Sequence, residues 1–152
     1  MEADPPNLEP AETGYPLSAA GRGLLAVWSL FLLAGFGLAA AVDPDPRGFG
    51  THQQFGFPPC SFVLLFGIPC PSCGSTTAFA SFVRGRWIFA AQVNLAAFLL
   101  AIVCAGMIPW SLYSAWRRRM WRVHDPARSL AWLLIVLATI SLIHWSIRCS
   151  RL

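Results

Sequence analysis

Thirty consecutive residues, Trp87 to Trp116, carry no formal charge. Two further runs behave alike: Gly23 to Val42, and Leu130 to Ile147 with His144 taken as neutral. A helix of ~20 residues rises ~1.5 Å per residue and so reaches ~30 Å, the thickness of a bilayer's hydrocarbon core. Hydrophobic residues make up 56% of the 152-residue chain and charged residues 12%, against ~25% charged in ordinary soluble domains. A water-soluble unit of this size could not hide so much apolar surface. The sequence therefore predicts an all-α integral membrane protein, with spans over about 23–42, 87–116 and 130–147 in one membrane domain, 23–152.

The connecting segments support this division. Residues 1–22 hold Glu2, Asp4, Glu9 and Glu12 and four prolines, and read as a disordered acidic tail. Arg22 before an apolar run and Ala39-Ala40-Ala41 at its end could also suit a signal peptide. That run is longer than a usual signal core and has an acidic tail ahead of it, so a retained helix is the better reading. Asp43-Pro44-Asp45-Pro46 must end the first span, because proline cannot continue a helix. Ser129 is a candidate cap for the last one. Trp87, Trp110, Trp116, Trp121, Trp132 and Trp145 lie near the ends of the runs, as in an interfacial aromatic belt.

There is no lysine; the net charge of +4 comes from arginine. Arg117, Arg118, Arg119, Arg122 and Arg128 fall in one loop, which the positive-inside bias places in the cytoplasm. The expected setting is a bacterial inner membrane, with the N-terminus cytoplasmic and the segment between the first two spans outside. These arginines flank apolar runs, so they read as topology signals facing lipid headgroups. Nucleic acid is not expected as a partner. Small-residue pairs such as Ala34-Gly35 and Ala105-Gly106 allow close helix packing, and with it a homo-oligomer or a membrane protein partner.

Chemistry concentrates in residues 57–86. Cys60 follows Pro58-Pro59, and after eight residues comes Pro69-Cys70-Pro71-Ser72-Cys73-Gly74-Ser75-Thr76-Thr77. The apolar pieces on either side, Ser61–Ile68 and Thr76–Val83, are too short to span. They predict a short re-entrant or interfacial helical segment carrying the cysteines; shallow insertion is favoured, because unsatisfied backbone is expensive in lipid. Gly85, between Arg84 and Arg86, suits a left-handed C-cap.

At Cys60, Gly67, Cys70, Pro71, Cys73, Gly74, Thr76, Gly85 and Asn94 the chain resembles an uncharacterised bacterial membrane family, domain of unknown function 2752, with its Cys-Pro-x-Cys-Gly-x-Thr block. Thr77 stands where many members have arginine, Arg86 where many have an acid and Leu95 where many have proline. The resemblance implies a small helical membrane protein and brings no activity with it.

Three uses of the cysteines stay open. Cys60, Cys70 and Cys73 could ligate a structural metal, zinc first, with His52, water or a second subunit as fourth ligand. Cys70 and Cys73 could instead exchange disulfides, with Cys70 as the attacking thiolate at a helix N-terminus and Cys73 resolving. Or the cluster could be inert structure. Pro71, Gly74, Thr76, Gly85 and Asn94 complete the motif. Asn94 and Gln92, inside an apolar run, are expected to hydrogen-bond between helices. Isolated Cys104 and Cys149 are expected to be inert, and His144 interfacial. No hydrolase triad, phosphate loop or carboxylate pair is present. The leading expectation is therefore a non-enzymatic membrane protein with a structural or zinc-binding site. A membrane thiol-disulfide exchanger is the alternative, and a transporter or channel subunit comes third.

Overall fold

The computed structural model describes residues 14–150. Three helices are long and apolar enough to cross a membrane: α1 (Ala19–Ala41), α5 (Leu95–Arg117) and α6 (Pro126–Cys149). Three short helices lie between α1 and α5: α2 (Ser61–Phe66), α3 (Ser75–Phe82) and α4 (Trp87–Val93), after a 3-10 turn at Thr51–Phe55. A two-stranded antiparallel ribbon pairs β1 (Gly14–Pro16) with β2 (Arg119–Trp121), in the register Tyr15 to Met120.

The helix ends define two poles. The Arg22 side chain, near the start of α1, donates from Nε to the Ala115 carbonyl near the end of α5 at 2.9 Å, so these helices run antiparallel with the ribbon beside that contact. At the opposite pole Arg84 donates to the Ala39 and Ala40 carbonyls, which the end of α1 leaves without helical partners. Between the poles, the buried hydroxyls of Ser29 on α1 and Ser111 on α5 meet at 2.5 Å, an interhelical bond suited to a solvent that offers no competing donor. α3 and α4 pack on each other and on α5, and α3 also reaches α1.

The buried residues are small. Ala78, Ala80, Ala90 and Ala101 are fully enclosed, as are Ser81, Ser111 and Ser114. Large side chains such as Leu65, Ile88 and Trp116 stay exposed. This inverts the soluble pattern. Lipid tails are as apolar as leucine, so helices gain little by hiding leucine from them and gain more from close backbone contact over small residues.

Three boundaries differ from the sequence expectation. α1 begins at Ala19 rather than Gly23, because the Ser18 hydroxyl accepts from the Gly21 amide and caps it. Within the part assigned to the tail, Gly14–Pro16 is strand and helix runs from Ala19 onward; residues 1–13 of that tail lie outside the described residues. The run from Trp87 to Trp116 is not one helix. It breaks at Asn94, whose backbone is extended and whose side chain starts α5 by accepting from the Ala97 amide at 3.0 Å. Amide side chains compete with the helix ladder for backbone partners, which hydropathy does not register. The last helix starts at Pro126 with Asp125, not Ser129, as its cap; proline is preset for a first helical position. α5 itself continues through Pro109.

Candidate metal centre

The site is built where two prolines forbid a helix. Pro69 and Pro71 lack amide hydrogens, so the chain between α2 and α3 cannot close an α-helical ladder. It turns instead: the Cys73 amide donates to the Cys70 carbonyl at 3.0 Å, and the Ser75 amide to the Ser72 carbonyl at 3.1 Å. Gly67 ends α2 with φ +70°, returning the chain toward Cys60. Cys60 occupies the N-cap position of α2. In consequence the sulfurs of Cys60, Cys70 and Cys73 all lie within 4.8 Å of one another. Sulfurs sharing a tetrahedral zinc at ~2.3 Å stand about 3.8 Å apart, so the three thiols need only a small inward shift to hold an ion.

Gly74 shows why this turn demands glycine. Its φ is +88°, and an added Cβ would come within 2.5 Å of the Gly48 carbonyl oxygen and 2.7 Å of Val93 Cγ1. The linker before the motif thus lies directly on it. A second tie joins the same segments: the buried hydroxyls of Thr51 and Thr77 are 2.8 Å apart, and Thr51 accepts from the Asp45 amide. Thr77, where many relatives were expected to carry arginine, is here a packing and hydrogen-bonding residue. Asp45 is also held by Arg47, whose guanidinium bonds keep its carboxyl below the usual range.

The motif's carbonyls are read from two other helices. Asn94 Nδ2 donates to the Pro71 and Cys73 carbonyls at 3.2 and 3.3 Å. From α6, Trp145 Nε1 donates to the Pro69 carbonyl at 2.6 Å, the Ser141 hydroxyl to Pro71 at 3.3 Å and Arg148 Nη1 to Cys73 at 3.3 Å. Asn94 is therefore a cap and a tie to the motif rather than a mid-helix amide. Gly85, at φ +72°, makes the expected left-handed turn after α3, with the Arg86 amide closing onto the Ser81 carbonyl.

The thiols open on a cavity of about 350 Å³ that His52, Ser72 and Thr76 also line. His52 is in the wall, with Nε2 placed 3.1 Å from the Pro58 carbonyl. Cys104 lies within α5 and Cys149 ends α6, and neither belongs to the cluster.

The two ends of the cluster differ electrostatically. The amide of Val63, in the first turn of α2, foremost holds the Cys60 thiol below its ordinary range. Cys73 is 6% exposed; burial above all, then the neighbouring Cys70 and Cys60, pushes its thiol up to about 11, with the Arg148 charge pulling the other way. The expected placement of Cys70 at a helix N-terminus is not what the structure has. α3 begins at Ser75 with Gly74 as its cap, and Cys70 stands outside that first turn. It is Cys60 that faces helix amides. A divalent ion would draw all three groups to the thiolate, since thiols ligate deprotonated.

Sequence reading identified the three thiols but not Ser141, Trp145 and Arg148. Their spacing, i, i+4 and i+7, puts them on one helix face, and a polar stripe on an otherwise apolar span was the available signal.

Residues 60–108 match the model of a family described as protein of unknown function (DUF2752). The matched stretch starts at Cys60 and takes in Cys70, Cys73 and Asn94. No curated protein and no solved structure matches the chain.

Proposed function

We infer that the chain, whose residues 60–108 match the DUF2752 family model, holds one thiophilic divalent ion, zinc before others, on Cys60, Cys70 and Cys73. The observation that carries this is the convergence of three sulfurs within 4.8 Å from segments separated by a whole helix. Thiolates are soft ligands and select zinc over magnesium or calcium. A fourth position remains for His52 or water. The ion's role is structural: it staples α2 to the turn before α3, where prolines leave the backbone without a ladder. The protein then acts through a membrane partner rather than by catalysis.

The arginine pole faces the cytoplasm and the thiol pole faces outward in a bacterial inner membrane. Supporting this, Arg22, Arg117, Arg118, Arg119, Arg122 and Arg128 gather at the ribbon pole, against Arg47, Arg84, Arg86 and Arg148 at the other. Positive charge is enriched on cytoplasmic ends.

Metal analysis combined with thiol labelling tests the reading on detergent-solubilised protein. Zinc near one equivalent, with Cys60, Cys70 and Cys73 protected until a chelator is added, is the expected result. Metal-free protein whose Cys70 and Cys73 label only after reduction would establish a disulfide and overturn it.

A further inference from the structure

α6 is an unusual span. No residue of it is fully buried, and its chief helical neighbour is α5. Yet three side chains on one of its faces reach three alternate carbonyls of the thiol turn: Trp145 to Pro69, Ser141 to Pro71, Arg148 to Cys73. Arg148 Nη1 also donates to the Val93 carbonyl at 2.9 Å, just before the break at Asn94. The three turn carbonyls belong to non-helical backbone and that of Val93 to the last residue of α4, at the end of a membrane bundle where unsatisfied polar groups cost several kcal/mol. Side-chain donors must supply what a helical ladder would have supplied.

We propose that α6 is the positioning element of the thiol site, with Ser141, Trp145 and Arg148 fixing the turn that presents Cys70 and Cys73, and Arg148 balancing the charge of the loaded centre. The proposal rests on the metal reading above. Three thiolates around a divalent ion leave one net negative charge, and the Arg148 guanidinium, bonded to the Cys73 carbonyl, already acts on the Cys73 thiol. Groups that orient metal ligands from outside the coordination sphere matter to affinity: their loss typically weakens binding by about 10–100-fold. Linkage makes the effect reciprocal. If docking of α6 tightens metal binding, metal binding holds α6 by the same factor.

The test uses the full chain in lipid nanodiscs, with zinc affinity measured by chelator competition and the cobalt-substituted protein examined for its sulfur-to-metal charge-transfer band. Arg148→Gln combined with Ser141→Ala should weaken zinc by about 10–100-fold and alter the cobalt band in protein that stays folded. Arg148→Lys, which keeps the charge, should recover part of the affinity. Trp145→Phe, which removes one N–H and little volume, serves where the double variant fails to fold; it should speed labelling of Cys73 in chelator-treated protein. Wild-type affinity and an unchanged cobalt band in the folded double variant would overturn the proposal, as would unchanged Cys73 labelling in Trp145→Phe. Failure of the metal reading itself is separate, because it would appear in the wild-type protein as an absence of bound zinc.

Discussion

α2 and α3 are both short, both apolar and placed on either side of the same turn, yet they are treated oppositely. α2 buries none of its residues; Leu64, Leu65 and Phe66 are 68%, 75% and 64% exposed. α3 buries Thr77, Ala78, Ala80 and Ser81 completely. The helix with the larger hydrophobic side chains is the one left outside. In a lipid-facing protein, bulk marks the surface that meets acyl chains and smallness marks where backbones touch. Each helix also brings a thiol of a different kind, Cys60 with first-turn amides at α2 and Cys73 enclosed just before α3.

The comparison breaks most sharply at Gly74. Gly74→Ala adds left-handed strain of about 1–2 kcal/mol to overpacking of about 1–3 kcal/mol against Gly48 and Val93. The variant should show a clear loss of abundance and a lower thermal midpoint by tryptophan fluorescence in detergent. Gly67→Ala has left-handed backbone too but meets nothing within 4 Å, so the smaller strain alone should appear there. Next in size is the thiol contrast in chelator-treated, reduced protein. The Cys73 thiol sits near 11 while Cys60 lies below its ordinary range. Only thiolates react, so Cys60 should label at lower pH and Cys73 only as the medium becomes alkaline, at least about a hundredfold more slowly near pH 8. Equal rates would remove the electrostatic difference between the two ends. Last come the helices themselves. Ala78→Leu should destabilise by about 1–3 kcal/mol through overpacking, whereas Leu65→Ala should stay within about 0.5 kcal/mol; a reversed order in thermal melts would mean that α2, not α3, is the packed element.

The three spans were legible because charge-free runs report directly on solvent. The gathering of Cys60, Cys70 and Cys73 was legible because they are close in sequence and prolines forbid a helix between them. What escaped was decided by polar partners far along the chain. Asn94 was expected to bond across helices, but not to break the apolar run; it does so by capping α5 while donating to the Pro71 and Cys73 carbonyls, more than twenty residues away. The Thr51–Thr77 pair joins a linker to a helix through two hydroxyls that look unremarkable separately. The ribbon of Gly14–Pro16 with Arg119–Trp121 is too short for any alternation to show. Trp145 read only as part of an interfacial belt, and Ser141 and Arg148 carried no assigned role, since what they do depends on carbonyls seventy or more residues away.

That ribbon also fixes an order of events during synthesis. Its first strand is made before α1 and its partner only after α5. Tyr15 and Leu17 donate to the Val123 and Arg118 carbonyls, so the clasp cannot close until two spans have been threaded. The strand ahead of α1 therefore waits for a latecomer to tie it down.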